Sequence, residues 1–281
     1  MGLQNHIFID NTDLLENAND NVISFVTLGK NYIHYTIADE AKSKLHYAKT
    51  IYNSNGSIGQ TEFDTLLSDS LLRKSTTVHI AIDTVKQTLL PTKLLSYKNP
   101  EVYFNNIYEI EKEEDIFSQK VNEEITELYV VKKATISYLK NEFNDVKIYS
   151  HSACLLHSYM QIVGRLNHNH HVFIHTSHDS FYFTFFKNGK LHFYQSFDLI
   201  SSSDILYCLL NILQLHQVEM NDVKVYLTGF SHVQNDIAEL LADYFAVDTL
   251  NNNNFEKKET DTQDFPVHIL FNQYSLISCV S

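Results

Sequence analysis

The sequence predicts an α/β protein of two domains that share one element order. Three observations carry this. Residues 22–82 read as strand, strand, strand, helix, strand. Residues 172–228 read as the same five elements in the same order. And 44% of the 281 residues are apolar, enough to give each half a core of its own. The repeat is one of architecture, with no identity between the halves. It places a domain at 1–151, opened by a polar segment 1–21, and a second at 152–281.

The first half opens with β-rich runs at Val22–Thr27 and Tyr32–Ile37, joined through Gly29. A third strand follows at Leu45–Tyr52, then a loop holding Gly56 and Gly59. Phe63, Leu66, Leu67 and Leu71 share one helical stripe, which predicts a single helix from Thr61. Val78–Ile82 is the next strand, and Pro91 suits the first turn of a helix running toward Tyr97. The run Glu109–Asp115 reads as a solvated charged loop. Phe117–Val121 and Glu127–Val131 read as a hairpin, followed by a helix carrying Ile136, Leu139 and Phe143. Strand Val146–Tyr149 and helix Ala153–Arg165 close the passage between the halves.

The second half restarts the pattern with Val172–Thr176, Ser180–Phe186 and Lys190–Phe197. Phe181, Phe183 and Phe185 alternate onto one face, while Tyr182, Thr184 and Phe186 take the other, so both faces are covered. A helix over Asp204–Gln217, a buried strand Val223–Thr228 and a helix opened by the capping box Ser231–Gln234 follow. The polar tract Asn251–Asp264 reads as flexible, Val267–Phe271 as a last strand and Gln273–Cys279 as a terminal helix.

Composition excludes several functions. The net charge of −13 gives no counterion-release drive, so no nucleic-acid partner is expected. No run of five bases marks a membrane surface site. The longest apolar stretch, Phe181–Phe186, is too short to span a bilayer, and the first twenty residues lack a signal-peptide core. A cytoplasmic protein without membrane insertion is expected. Cys154, Cys208 and Cys279 read as free thiols. Seven glycines stand where average usage gives about twenty, which leaves few for phosphate-cradling loops.

A duplicated β-β-β-α-β-α unit resembles the ribonuclease-H-like domain pair of the actin and sugar-kinase fold. The second half is also similar to the type IV pilus assembly protein of that superfamily, at the hairpin Asn188-Gly189-Lys190-Leu191. A closer resemblance lies in HTSHDSFYFTFFKNGKLHFYQSFDLISSSDILYCLLNILQL, in VKVYLTGF, in TLLPTKLL, in IYSHSACLL and in FPVHILFNQYSLISC. These segments are similar to the domain-of-unknown-function family 3822, from about Val22 to Cys279. The resemblance implies an actin-like ATPase fold and assigns no reaction.

In that superfamily an Asp-x-Gly turn in each first hairpin handles magnesium and phosphate. Here the first hairpin has no Asp before Gly29, and Tyr32 follows closely. The second holds Asp179, with Ser180 and Phe181 in place of glycine. The adenosine loop keeps Gly229, with Phe230 in place of a second glycine. Gly29, Asp179 and Gly229 are therefore the remnant nucleotide-binding positions, in what reads as a degenerate actin-like ATPase fold. A ribonuclease-H-type nuclease needs carboxylates on its opening strand, where Val22–Thr27 offers only Ser24 and Thr27.

Five histidines lie between His168 and His178. Alternation puts His171 and His175 on one face, with His178 at the strand end, a candidate metal set. His151, Ser152 and Cys154 read as ordinary helix-start residues, because no nucleophile elbow accompanies them. The leading expectation is a non-catalytic scaffold that binds another protein and needs no cofactor. The alternatives are an ATPase or kinase using ATP with magnesium, and a histidine-based metal binder.

Overall fold

The structure is a computed structural model that describes residues 3–10, 21–40, 45–54, 56–96, 99–177, 180–229, 234–250 and 268–280. These residues form two compact units. The first lies within 1–157 and 272–280, the second within 158–250 and 268–271.

The first unit is built on strands β1 (Leu3–Asp10), β2 (Val22–Leu28), β3 (Tyr32–Asp39), β4 (Leu45–Asn53), β5 (Thr77–Ile82) and β9 (Val146–Ser150). They stand in the order β1-β4-β3-β2-β5-β9. β2, β3 and β4 form the antiparallel meander, and β5 and β9 add in parallel. All seven residues of β2 are buried, as a strand covered on both faces requires. Helices α1 (Gln60–Leu67) and α2 (Ser70–Lys74) link β4 to β5.

Between β5 and β9 the chain makes a second, three-stranded sheet. It holds β6 (Gln87–Pro91), β7 (Glu114–Lys120) and β8 (Ile125–Lys132), with β8 in the centre. Helix α3 (Pro100–Phe104) lies within this insertion, and α4 (Lys133–Glu142) leads from β8 toward β9. β8 is covered on both sides: Tyr129 and Val131 enter the main core, while Leu128 and Val130 pack with Phe104. Helix α5 (His151–Val163) follows β9 directly.

The second unit has strands β10 (His170–Thr176), β11 (Ser180–Lys187), β12 (Lys190–Asp198), β13 (Val223–Gly229) and β14 (Ala246–Thr249). Their order is β12-β11-β10-β13-β14, the order of β4-β3-β2-β5-β9 in the first. β10 pairs antiparallel with β11 and parallel with β13. Helices α6 (Ser202–Leu215) and α7 (Gln234–Ala242) cover one face. Helix α8 (Phe271–Cys279) belongs to the first unit from Asn272 onward. Phe181, Phe183 and Phe185 share the α6-facing core with Ile205, Leu209 and Ile212, as alternation predicts. Asn188 and Gly189, at φ 51° and 74°, make the tight hairpin turn between β11 and β12.

Several expectations are corrected. The polar opening segment contains β1, which pairs with β4 from Leu3↔Asn53 to Asp10↔Tyr47. The single helix expected from Thr61 breaks at Ser68, because the Asp69 carboxylate accepts from Leu71 N–H at 3.0 Å and starts α2. Pro91 ends a strand instead of starting an α-helix, opposite Ile125, and a 3₁₀ turn over Thr92–Ser96 follows. A strand end tolerates a residue that has no N–H to donate. The charged run expected as a loop contributes Glu114 and Asp115 to β7, where Glu114 pairs with Lys86 at 2.7 Å. Phe271 opens α8 where a strand was expected to end. β14 was not expected. Ser231–Val233 and Asn251–Asp264 lie outside the described residues.

Candidate functional site

In open α/β sheets of this kind, ligands sit beyond the carboxyl ends of the parallel strands. In the first unit those ends are Leu28, Ile82 and Ser150. The residues just past them bring together a dense set of buried polar groups.

Gly29 follows β2. Its N–H donates to Tyr32 O at 2.9 Å. The Tyr32 ring lies over Gly29 so closely that a Cβ there would overlap its Cε1 and Cζ atoms. Asp83 follows β5, and its N–H donates to Leu28 O at 2.8 Å. Tyr32 OH donates to Asp83 Oδ2 at 2.5 Å. Burial, then the Asp83 carboxylate, raises the Tyr32 phenol well above its usual range, so the proton stays on tyrosine.

His151, the first residue of α5, is fully buried. Its Nδ1 lies 3.9 Å from Asp83 Oδ2 and its Nε2 is 3.0 Å from Asn272 Oδ1. His34 on β3 bonds Thr50 Oγ1 through Nδ1 at 2.5 Å and packs its ring 4.5 Å from that of Tyr32. Burial, with His151 nearby, pushes His34 down to about 3, so it is neutral at pH 7.

Ser152 stands at the centre of a second group. Its Oγ lies 2.5 Å from Gln87 Oε1 and 3.1 Å from Ser150 Oγ, and makes a close contact with Glu127 Oε1. A hydroxyl has one proton for these oxygens. The count closes when Glu127 carries a proton, donates to Ser152 Oγ, and Ser152 donates to Gln87. The environment acts in the same direction. Complete burial pushes Glu127 up to about 7, Ser150, Ser152 and the Ala153 amide oppose this, and the Asp83 charge adds to it. Gln119 extends the group: its Oε1 accepts from Ser150 N–H at 2.6 Å, and its Nε2 lies 3.3 Å from Cys279 Sγ and 3.9 Å from Cys154 Sγ.

A cavity of about 190 Å³ opens beside Asp83, lined also by Leu28, Phe63, Glu114 and Lys132. Pockets for drug-sized ligands and cofactors hold roughly 300–1,000 Å³.

The carboxyl ends in the second unit are Thr176 and Gly229. Gly229 has φ +85°, and a Cβ there would overlap the backbone oxygen of Thr176. Its N–H donates to His268 O at 2.7 Å. His175 Nδ1 lies 3.0 Å from Thr228 Oγ1, which is also 3.0 Å from Tyr159 OH. Tyr159 stacks between Phe173 at 4.4 Å and Phe271 at 5.2 Å. All these side chains are buried.

Of the residues singled out in the sequence, Gly29 and Gly229 occupy the expected strand ends. Asp179 and His178 lie outside the described residues. His171 and His175 share a face, but lie four positions apart on the strand, roughly 13 Å. His171 Nε2 bonds His168 O at 2.8 Å, and burial pushes it down to about 4. Among the described residues no three His, Cys, Asp or Glu groups gather as a metal site. Asp83, Glu127, Gln87, His34 and Asn272 were missed. Asp83 alone had a local signal, as a carboxylate directly after a buried strand.

Two ribonuclease-H-like sheets in one chain define this protein as a member of the actin-like ATPase fold class. It belongs to the family described as protein of unknown function (DUF3822), whose family model matches residues 11–247. The structure is similar to a Bacteroides thetaiotaomicron VPI-5482 protein with actin-like ATPase fold and unknown function. That match has a TM-score of 0.72 at 16% identity, covering 97% of this chain and 99% of that one. It is also similar to a chain of the PilM–PilN type IV pilus biogenesis complex, with a TM-score of 0.65 at 9% identity over 92% and 98% of the two chains. No curated protein sequence matches the chain. Among the described residues no helix is long and apolar enough to cross a membrane.

Proposed function

We propose that this protein is a non-catalytic member of the actin-like class that acts by binding another protein in the cytoplasm. One observation carries the reading: at both strand ends the glycine N–H is bonded, and the space beside it taken, by the chain's own residues. Phosphate binding in such folds uses free backbone N–H groups and room for close approach. The Gly29 and Gly229 N–H groups are already bonded, to Tyr32 O and His268 O. The Tyr32 ring covers the first glycine, and the carboxyl group of Asp83 beside it would repel a phosphate. Negative net charge acts in the same direction. PilM, whose complex shares the fold, is found with a protein partner, PilN.

The test is a thermal-shift scan with ATP–magnesium on the full chain, paired with recovery of native complexes from the source cell. The expected outcome is no nucleotide shift and a stoichiometric protein partner. A shift of several degrees with ATP–magnesium would establish nucleotide binding and overturn the reading.

A further inference from the structure

The other end of the second unit, where β10 and β13 begin, carries a feature that the proposed function does not use. His192 lies on β12 at a β-bulge. The register with β11 passes from Phe185↔Phe193 to Phe186↔Leu191 and leaves His192 with no residue opposite. A bulge turns one side chain out of the ladder and re-aims it. Here the ring meets His216 with centroids 5.5 Å apart and planes at 88°. Phe185 supports both rings, at 6.3 Å from His192 and 5.2 Å from His216.

His216 is the C-cap of α6, its N–H bonded to Ile212 O at 3.0 Å. The chain turns there through Gln217 at φ 54°, a left-handed conformation that a non-glycine residue adopts at a cost. His216 Nε2 is shielded from solvent and makes no hydrogen bond. Such a nitrogen is costly unless something occupies its lone pair or takes its proton.

We propose that His192 and His216 form a two-histidine site for a divalent transition metal, with water completing the coordination. Imidazole nitrogens bind zinc at about 2.0–2.1 Å, so two rings on one tetrahedral ion have centroids about 5–6 Å apart. The observed spacing fits. The negative end of the α6 dipole favours a cation. Lys187 Nζ, bonded to His216 O at 2.7 Å, weakens that field. Among the described residues no third His, Cys, Asp or Glu joins the pair. A site with two protein ligands selects by the intrinsic order, copper(II) above nickel(II), with zinc(II) below copper(II).

This pair is distinct from His171, His175 and His178. The test is isothermal titration of the full chain with copper(II), nickel(II) or zinc(II) chloride in a non-chelating buffer, with copper(II) electron paramagnetic resonance. One equivalent of copper(II) is expected, with a spectrum showing two imidazole nitrogens. His192→Ala and His216→Ala should each weaken binding roughly 10–100-fold or more. His168→Ala, an exposed histidine beside His171, should leave it unchanged. His192 is exposed, so its variant folds, and circular dichroism checks both. No binding by the native chain overturns the site. So does binding that survives both substitutions, or that His168→Ala removes.

Discussion

The two sheets have the same strand order and opposite chemistry beyond their carboxyl ends. In the first unit the space holds ionisable groups: Asp83, His151, His34 and Glu127. In the second the Thr228 hydroxyl bonds His175 and Tyr159, and Tyr159 stacks on Phe271 and on Phe173 of β10. Topology therefore places an end-of-strand crevice without deciding what fills it. In both units the filling comes from the chain itself. The first unit uses hydrogen bonds and buried acids, which tie its stability to pH. The second uses ring packing and a close backbone approach, which tie its stability to shape.

The largest expected effect tests shape in the second unit. Gly229→Ala places a methyl group against the Thr176 backbone, at a φ that disfavours alanine. Backbone oxygen cannot rotate away, so the cost is roughly 3–5 kcal/mol. Gly29→Ala meets the Tyr32 ring, a side chain and not backbone, and costs about 1–3 kcal/mol. Urea unfolding of both variants measures the difference. Equal losses would remove the contrast.

The next effect tests pH in the first unit. Glu127 has an ordinary pKa of 4.5 when unfolded and about 7 when folded. Between these values the folded state holds the extra proton, so stability is present below 4.5 and falls as pH rises through 7. Glu127→Gln mimics the protonated acid. It should raise stability by about 3 kcal/mol at pH 8 and by almost nothing at pH 4.5. A pH-independent difference between the two proteins would show that burial of this carboxyl is not the cause.

A smaller effect sharpens the account of Tyr32. Tyr32→Phe keeps the ring over Gly29 and removes the donor to Asp83. The expected loss is about 1–3 kcal/mol, read by chemical denaturation at pH 7. A neutral result would mean that the ring alone fills the site.

Much of the fold was legible because the central strands carry continuous buried runs. Val22–Leu28 and Ser180–Lys187 need no context to read as strands. β1 was hidden because LQNHIFID interleaves polar residues at a sheet edge, where pairing with β4 holds it. β6 was hidden by Pro91, whose usual meaning is a helix start. The glycine positions were legible from hairpin and strand order. The buried network was not. His151 meets Asn272 across 121 residues and Ser152 meets Gln87 across 65, and no local period encodes such contacts. Glu127 reads as the solvent side of an alternating strand until β8 is seen covered on both faces.

The central claim is that the chain's own residues fill the sites where this fold class places phosphates. Isothermal titration of the full chain with ATP–magnesium at pH 7 tests it most directly. The account predicts no saturable heat up to about 1 mM nucleotide, a binding free energy weaker than about −4 kcal/mol. A saturable isotherm with a Kd of about 100 μM or tighter would contradict it.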